Sequence, residues 1–427
     1  MEPPALETPS PHSTPAAAAG RSLGIGQREL IVMLGLATAT GALGIDAMLP
    51  AFADIRRDLG LAPDSTSVGN IITFYFIGLA AGQLFWGPIA DRFGRRRTLH
   101  LSFSVYALAA LASALAPSLA VVIVTRTVWG FGAAGPRIVA MTVVRDSFKG
   151  DRVSQAMSSL MAVFIIVPIV APSIGAGVVA IASWRWLFVF CALFSLTVLA
   201  WSTRLPETLR AEHQLELSGR RILGAARTVL THRQSAGYLF AVTALMGAFV
   251  AYLSGFESVI DQSYDRASSF PVIFGALAAV MGTMMLANRR LVGRFGALTV
   301  ARGTFASYVG LAVPFVILVT LTDGHPPMWA FLVGMAAMLS CQAVLLPNLT
   351  SMALEPMGAI AGTASSVIGA LQTAGGAILG GLVMATFDGT TRPLVYGFAF
   401  FAVMGSGWIL WAGRGRAVAP APAGHSA

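Results

Sequence analysis

Hydrophobic positions in this chain come in long unbroken runs. They do not alternate as in a half-buried strand, nor follow the one-sided stripe of a surface helix. A helix needs roughly 20 apolar residues to cross a bilayer. Twelve runs approach or exceed that length: 29–51, 67–90, 98–116, 119–143, 154–180, 185–203, 235–256, 269–288, 299–321, 327–350, 359–386 and 394–412. A spanning segment must satisfy its own backbone groups, which a helix does internally. The pattern therefore predicts an all-α membrane protein with twelve transmembrane helices.

Composition agrees. Of the 427 residues, 56% are hydrophobic and 11% charged, against about 25% charged in soluble domains. The mean hydropathy is +0.74. The partner this implies is the lipid bilayer. A net charge of +9 in so apolar a chain does not indicate a nucleic-acid binder, and its distribution gives the reason. An even number of spans puts both termini on one side. On that side fall most of the 28 Lys and Arg; the opposite loops hold Arg56, Arg57, Arg185, Arg266 and Arg392. Basic loops stay in the cytoplasm, so both termini are expected there, in an inner (plasma) membrane of bacterial type.

Residues 1–27, rich in Pro, Ala, Ser and Thr, read as a disordered cytoplasmic tail, and 413–427 as another. The first apolar run is long enough to span, so it does not read as a cleavable signal. The longest polar break, 204–234, carries six arginines and divides a half at 28–203 from a half at 235–412. A short repeat supports that division: Arg92-Phe93-Gly94 follows the second span, and Arg294-Phe295-Gly296 follows the eighth. Duplicated six-helix units are a design of secondary transporters. Cys191 and Cys341 lie in separate spans and read as small buried apolar residues. The six histidines show no ligand spacing, so no metal is expected.

The densest polar chemistry is the turn Gly87-Pro-Ile-Ala-Asp91-Arg92-Phe-Gly94-Arg95-Arg96-Arg97-Thr-Leu99 between the second and third spans. Its spacing, G-x-x-x-D-R-x-G-R-R-x-x-L, resembles the corresponding loop of the major facilitator superfamily. That resemblance implies two pseudo-symmetric six-helix bundles, with Gly87, Asp91, Arg92, Gly94, Arg95 and Arg96 acting as a conformational latch.

Within the spans, Asp46 is the one clear carboxylate. Its ionised form costs on the order of 3 kcal/mol at mid-bilayer. It escapes that cost by facing a wet cavity, pairing with a cation or taking up a proton; snorkelling to the lipid surface is the plainer reading. Arg126 in the fourth span lies ~10 Å below the outer surface and Asp46 ~6 Å, at 1.5 Å per residue. An ion pair or water bridge between them is therefore open, as is a structural role for the arginine. Arg137, nearer the inner end, is read as snorkelling. Glu257 is read as a solvated loop acid or a second proton site. Phe74, Tyr75, Tyr252, Gln342, Asn348 and Gln372 are candidates to line a substrate cavity.

Arg126-Thr-Val-Trp129-Gly130-Phe-Gly132-Ala-Ala134 is similar to the superfamily's fourth-helix motif, with Trp129 in place of Gln. In the fifth span, Pro168, Pro172 and Gly175 resemble the antiporter motif, with Val167, Ala171 and Ala176 replacing glycines. Ala171-Pro172-x-x-Gly175, Ser183-Trp184-Arg185-Trp186 and Leu205-Pro206-Glu207-Thr208 are similar to the Bcr/CflA branch of drug exporters. Met48, Ala53 and Phe256-Glu257-Ser258 depart from that branch. The resemblance implies proton-driven antiport of a small, largely apolar compound or antibiotic by a monomer. Protons would be the coupling ion, with no other cofactor and no ATP site. The proton-coupling residues would be Asp46, Arg126 and Glu257. A carrier of one specific metabolite is the alternative. No catalytic constellation points to an enzyme, and the short loops leave little room for a receptor domain.

Overall fold

The computed structural model describes residues 25–209 and 219–413. The tail readings at 1–24 and 414–427, and the stretch 210–218 of the polar break with Arg210, lie outside the described residues. In chain order the helices are α1 (Gln27–Asp46), α2 (Phe52–Asp58), α3 (Asn70–Phe93), α4 (Arg95–Ala114), α5 (Leu119–Ser147), α6 (Asp151–Ile181) and α7 (Arg185–Ser202). They continue as α8 (Gly219–Thr231), α9 (Arg233–Gln262), α10 (Phe270–Phe295), α11 (Ala297–Leu321), α12 (Met328–Leu354), α13 (Ala361–Met384) and α14 (Arg392–Gly413). All but the short α2 and α8 follow the twelve apolar runs. Among the described residues, eleven helical segments are long and apolar enough to cross a membrane. The remaining run is α4, which opens on Arg95, Arg96 and Arg97 and becomes apolar only afterwards.

Packing repeats between the halves. In the first, α1 packs on α5, α6 and α7, α3 on α5, and α4 on α5 and α7. In the second, α9 packs on α12, α13 and α14, α10 on α12, and α11 on α12 and α14. Each contact has its counterpart six spans later. The halves meet along α3 with α13 and α6 with α10, pairs that the same exchange interconverts. These are two pseudo-symmetric six-helix bundles.

The repeated Arg-Phe-Gly has a backbone reason. Gly94 and Gly296 sit at φ 100° and 79°, ending α3 and α10 so that α4 and α11 start at once. Only glycine adopts this conformation without strain. Small residues also set close crossings. A Cβ on Gly130 would overlap the Tyr75 carbonyl of α3, and one on Gly175 the Ala47 carbonyl.

Two expectations change. The first run is not one helix: α1 ends at Asp46, a 3-10 turn covers Leu49–Ala51, and α2 comes after it. Pro50 lacks the N–H an α-helix would use there. Arg56 and Arg57, expected in an outer loop, therefore lie on α2. The polar break also contains a helix, α8, whose Ala225 and Val229 are buried.

Candidate functional site

Three side chains from three helices converge on one turn of α1. The Tyr106 hydroxyl donates to the Thr40 carbonyl at 2.8 Å, and the Tyr75 hydroxyl to the Gly41 carbonyl at 3.0 Å. Arg126 Nη1 donates to the Gly44 carbonyl at 2.9 Å. Arg126 is fully buried. Its guanidinium carbon lies 4.4 Å from the Tyr75 ring centroid, 4.5 Å from Trp129 and 5.9 Å from Phe188. Cation–π attraction replaces part of the hydration the guanidinium has lost. Its Nε and Nη2, and Trp129 Nε1, are buried without hydrogen-bond partners. Trp129, where the resembling motif has Gln, thus forms a wall of this cage, and Tyr106 packs edge-on against it at 5.2 Å.

Asp46 lies one half-turn beyond. It is 4% exposed, and its carboxylate makes no hydrogen bond or ion pair among the described residues. The turn that follows it, Leu49–Ala51, packs on α6 of its own half and on α9 of the other. The direct Asp46–Arg126 ion pair, one of the arrangements open from the sequence, is not formed in this state. The reason is angular. Residues two apart on a helix point ~200° apart; Gly44 faces Tyr75, Tyr106 and Trp129, so Asp46 faces away from the cage.

Toward the end of the bundle that carries α2, the outer end by the charge rule, a clasp joins the halves. Arg56 Nη2 lies 2.9 and 3.2 Å from the two Glu257 oxygens and 3.4 Å from Asp261 Oδ2; Nη1 is 3.2 Å from Ser258 Oγ. Arg56 and Glu257 are each 3% exposed. Glu257 as a solvated loop acid is thus corrected: it lies within α9, under α2. The α2 helix is tied to its own half by Asp58, which accepts from Trp184 Nε1 at 3.0 Å and from Arg185. Beside the clasp, a Cβ on Gly69 would come within 2.8 Å of the Ser254 carbonyl of α9. The two halves are in contact at this end in this state.

At the other end lies the Asp91 turn. Arg95 Nη1 donates to Asp91 at 2.7 Å and to the Ala90 carbonyl at 2.7 Å, while its Nε donates to Asp146 of α5 at 3.1 Å. Glu207 accepts from the backbone N–H groups of Arg95 at 2.8 Å and Arg96 at 3.2 Å, placing a carboxylate at the N-terminus of α4, where the helix dipole favours it. Arg92 lies over the Phe93 ring at 5.6 Å. Gly87 faces Ser366 of α13, so this turn adjoins the seam between the halves.

The other candidates divide. Pro168 and Pro172 lie inside α6, and Gly175 lies against Ala47, one residue after Asp46. Tyr75 belongs to the Arg126 cage. Tyr252 is buried and stacks on Phe274 at 5.4 Å. Phe74 is 38% exposed. Two cavity candidates make helix-to-helix bonds. Gln342 is fully buried and donates to the Tyr308 hydroxyl at 2.9 Å; Asn348 donates to Asn288 at 2.9 Å. Gln372 accepts from Thr350 at 3.2 Å. Sequence reading missed Arg56, Ser258, Asp58 and Glu207 as site members. Glu207 and Ser258 stand inside stretches that the sequence singled out, Leu205-Pro206-Glu207-Thr208 and Phe256-Glu257-Ser258, but the partners of all four are distant in the chain, which hid their roles.

Twelve helices in two exchangeable bundles, a lone acid at the seam and a clasp at one end define a secondary-transporter architecture. The Major Facilitator Superfamily model matches residues 34–381, and the chain belongs to that family. It is a membrane transporter, not an enzyme. The chain is 31% identical over 373 residues to a bicyclomycin resistance protein homolog of Haemophilus influenzae, covering 86% of this chain and 91% of that protein. It is 27% identical over 369 residues to multidrug resistance protein D of Escherichia coli, covering 83% and 88%. Among solved structures, a D-xylose-proton symporter superposes with a TM-score of 0.71 at 14% identity, covering 90% of this chain and 96% of that one. At that identity it speaks for the fold alone.

Proposed function

We propose that the protein exports small, largely apolar compounds, antibiotics among them, in exchange for protons. The resistance relatives support drug export as the direction and substrate class. The observation that carries proton coupling is Asp46: a buried carboxylate with no cation partner among the described residues, at the seam between the halves. An acid so placed costs least when protonated. The halves at 28–203 and 235–412 rock about it as two bodies, with 204–234 as the linker and the termini in the cytoplasm. Facing out, Asp46 takes a proton and substrate leaves. Facing in, it gives the proton up as substrate binds. The Asp91 turn holds one of the two states, and Arg126 positions the turn of α1 that carries Asp46. The protein acts as a monomer, without ATP, in the inner membrane.

The test is efflux of a fluorescent lipophilic cation, and growth in neutral antibiotics, for wild type and Asp46→Asn at equal membrane abundance. Export sensitive to a protonophore and abolished by Asp46→Asn is expected. Undiminished export in the variant would remove Asp46 from the cycle. A carrier that moves none of these compounds would be a metabolite transporter.

A further inference from the structure

Helix α8, in the connection between the halves, has three faces. Ala225 and Val229 are buried and Ile222 is half-buried. This stripe packs on α13 and α9, and Ile222 reaches a small crevice lined also by Leu84, Gly87 and Ser366, where α3 meets α13. Next around the helix come Leu223 and Leu230, 72% and 45% exposed. About 60° further, at 100° per residue, come the exposed Arg220 and Arg227. A bundle-facing stripe, a second apolar edge and a basic face in that order do not suit a helix surrounded by water.

The neighbouring span sets the level of α8 in the membrane. A single residue, His232, separates α8 from the span α9. Arg233, at that junction, donates from Nε to the Trp411 carbonyl at 3.0 Å and lies over the Trp411 ring at 5.1 Å. Tryptophan with arginine at the end of a span marks the headgroup layer. Leu230 is therefore one turn from that layer.

We propose that α8 is an interfacial helix that binds anionic phospholipid. Leu223 and Leu230 enter the acyl boundary, and Arg220 and Arg227 hold headgroup phosphates. Buried apolar area and basic side chains act together in such binding. The leaflet concerned is the one on the linker side of the bundle. The proposal needs only that the chain spans the membrane, and stands or falls apart from proton coupling.

The test uses the full chain in nanodiscs of phosphatidylcholine, with and without phosphatidylglycerol, read by hydrogen exchange of the amides of 219–231. Exchange several-fold slower in the anionic discs is expected, with the difference shrinking at high salt and vanishing in Arg220→Gln/Arg227→Gln. Peptides from α3 and α5 report that the variant is folded. In parallel, a fluorophore on Leu223→Cys should be quenched by brominated acyl chains. Equal exchange in the two compositions, a double variant that keeps the wild-type difference, or an unquenched label would each overturn the proposal.

Discussion

Arg126 holds a buried charge that no carboxylate meets in this state. Its enclosure by Tyr75 and Trp129, and its bond to Gly44, fix the turn of α1 just before Asp46. Arg126→Lys keeps the charge but loses the flat face and the fork of donors. A loss of about 1–2 kcal/mol is expected from the cation–π contacts, measured as a lower thermal midpoint in detergent. Arg126→Leu should be as stable as Arg126→Lys or more so, since apolar replacement of a buried charge is often neutral, yet transport should vanish. If Arg126→Leu transports normally, the cage is packing and nothing more. A second contrast concerns Gly94 and Gly296. Both need positive φ, but an added Cβ at Gly94 would also strike the Glu207 carboxylate, while at Gly296 it meets open space. Gly94→Ala should therefore cost more stability than Gly296→Ala, whose strain alone is on the order of 1 kcal/mol.

At the scale of elements, α2 is the piece that joins the halves at the outer end. It is held to its own half by Asp58 with Trp184 and Arg185, and to the other by Arg56 with Glu257. Breaking a buried pair by removing one partner costs about 3–5 kcal/mol. That cost falls on the closed outer state, where the pair exists. Arg56→Gln or Glu257→Gln should thus shift the population toward outer opening, seen as faster labelling of a cysteine placed at Ser254. The reversal Arg56→Glu/Glu257→Arg should recover part of the slow labelling. Equal rates in all four proteins would mean that the clasp does not hold the gate. A sequence reading places Arg56 and Glu257 in water because each lies near the end of an apolar run. What buries them is the turn at Leu49–Ala51, which packs on α9 and directs Arg56 of α2 to Glu257, and that depends on the two halves being in contact.

At the scale of the whole molecule, two bundles related by exchange can rock only if the outer clasp and the inner seam open in turn. A covalent tie at the clasp should stop the cycle. A direct disulfide cannot span this contact, which runs between the ends of two long side chains. Arg56→Cys/Glu257→Cys joined by a bifunctional methanethiosulfonate cross-linker is expected to lose transport and to regain it on reduction, while each single variant is indifferent to the reagent. Transport by the cross-linked protein would exclude outer opening from the cycle. The native Cys191 and Cys341 are buried in different halves and do not compete for this bond. The sequence repeat is three residues long, whereas the packing repeat runs through every pair of major contacts, because backbone geometry and small-residue crossings conserve an arrangement that side-chain identity need not.

Sequence alone determined the number and order of the spans, because a bilayer accepts only long apolar helices. It also determined the charge asymmetry, the duplicated turn and the carboxylate within the first span, Asp46, each a local property of the chain. Tertiary structure decided the pairing. Arg126 went to Gly44 and aromatic rings rather than to Asp46, Glu257 to Arg56, Gln342 to Tyr308, and Glu207 to the start of α4. These partners are far apart in the chain, and which of them meet depends on the rotation of each helix about its axis. Hydropathy leaves that rotation open, since most faces of a spanning helix are apolar; close packing against neighbouring helices fixes it.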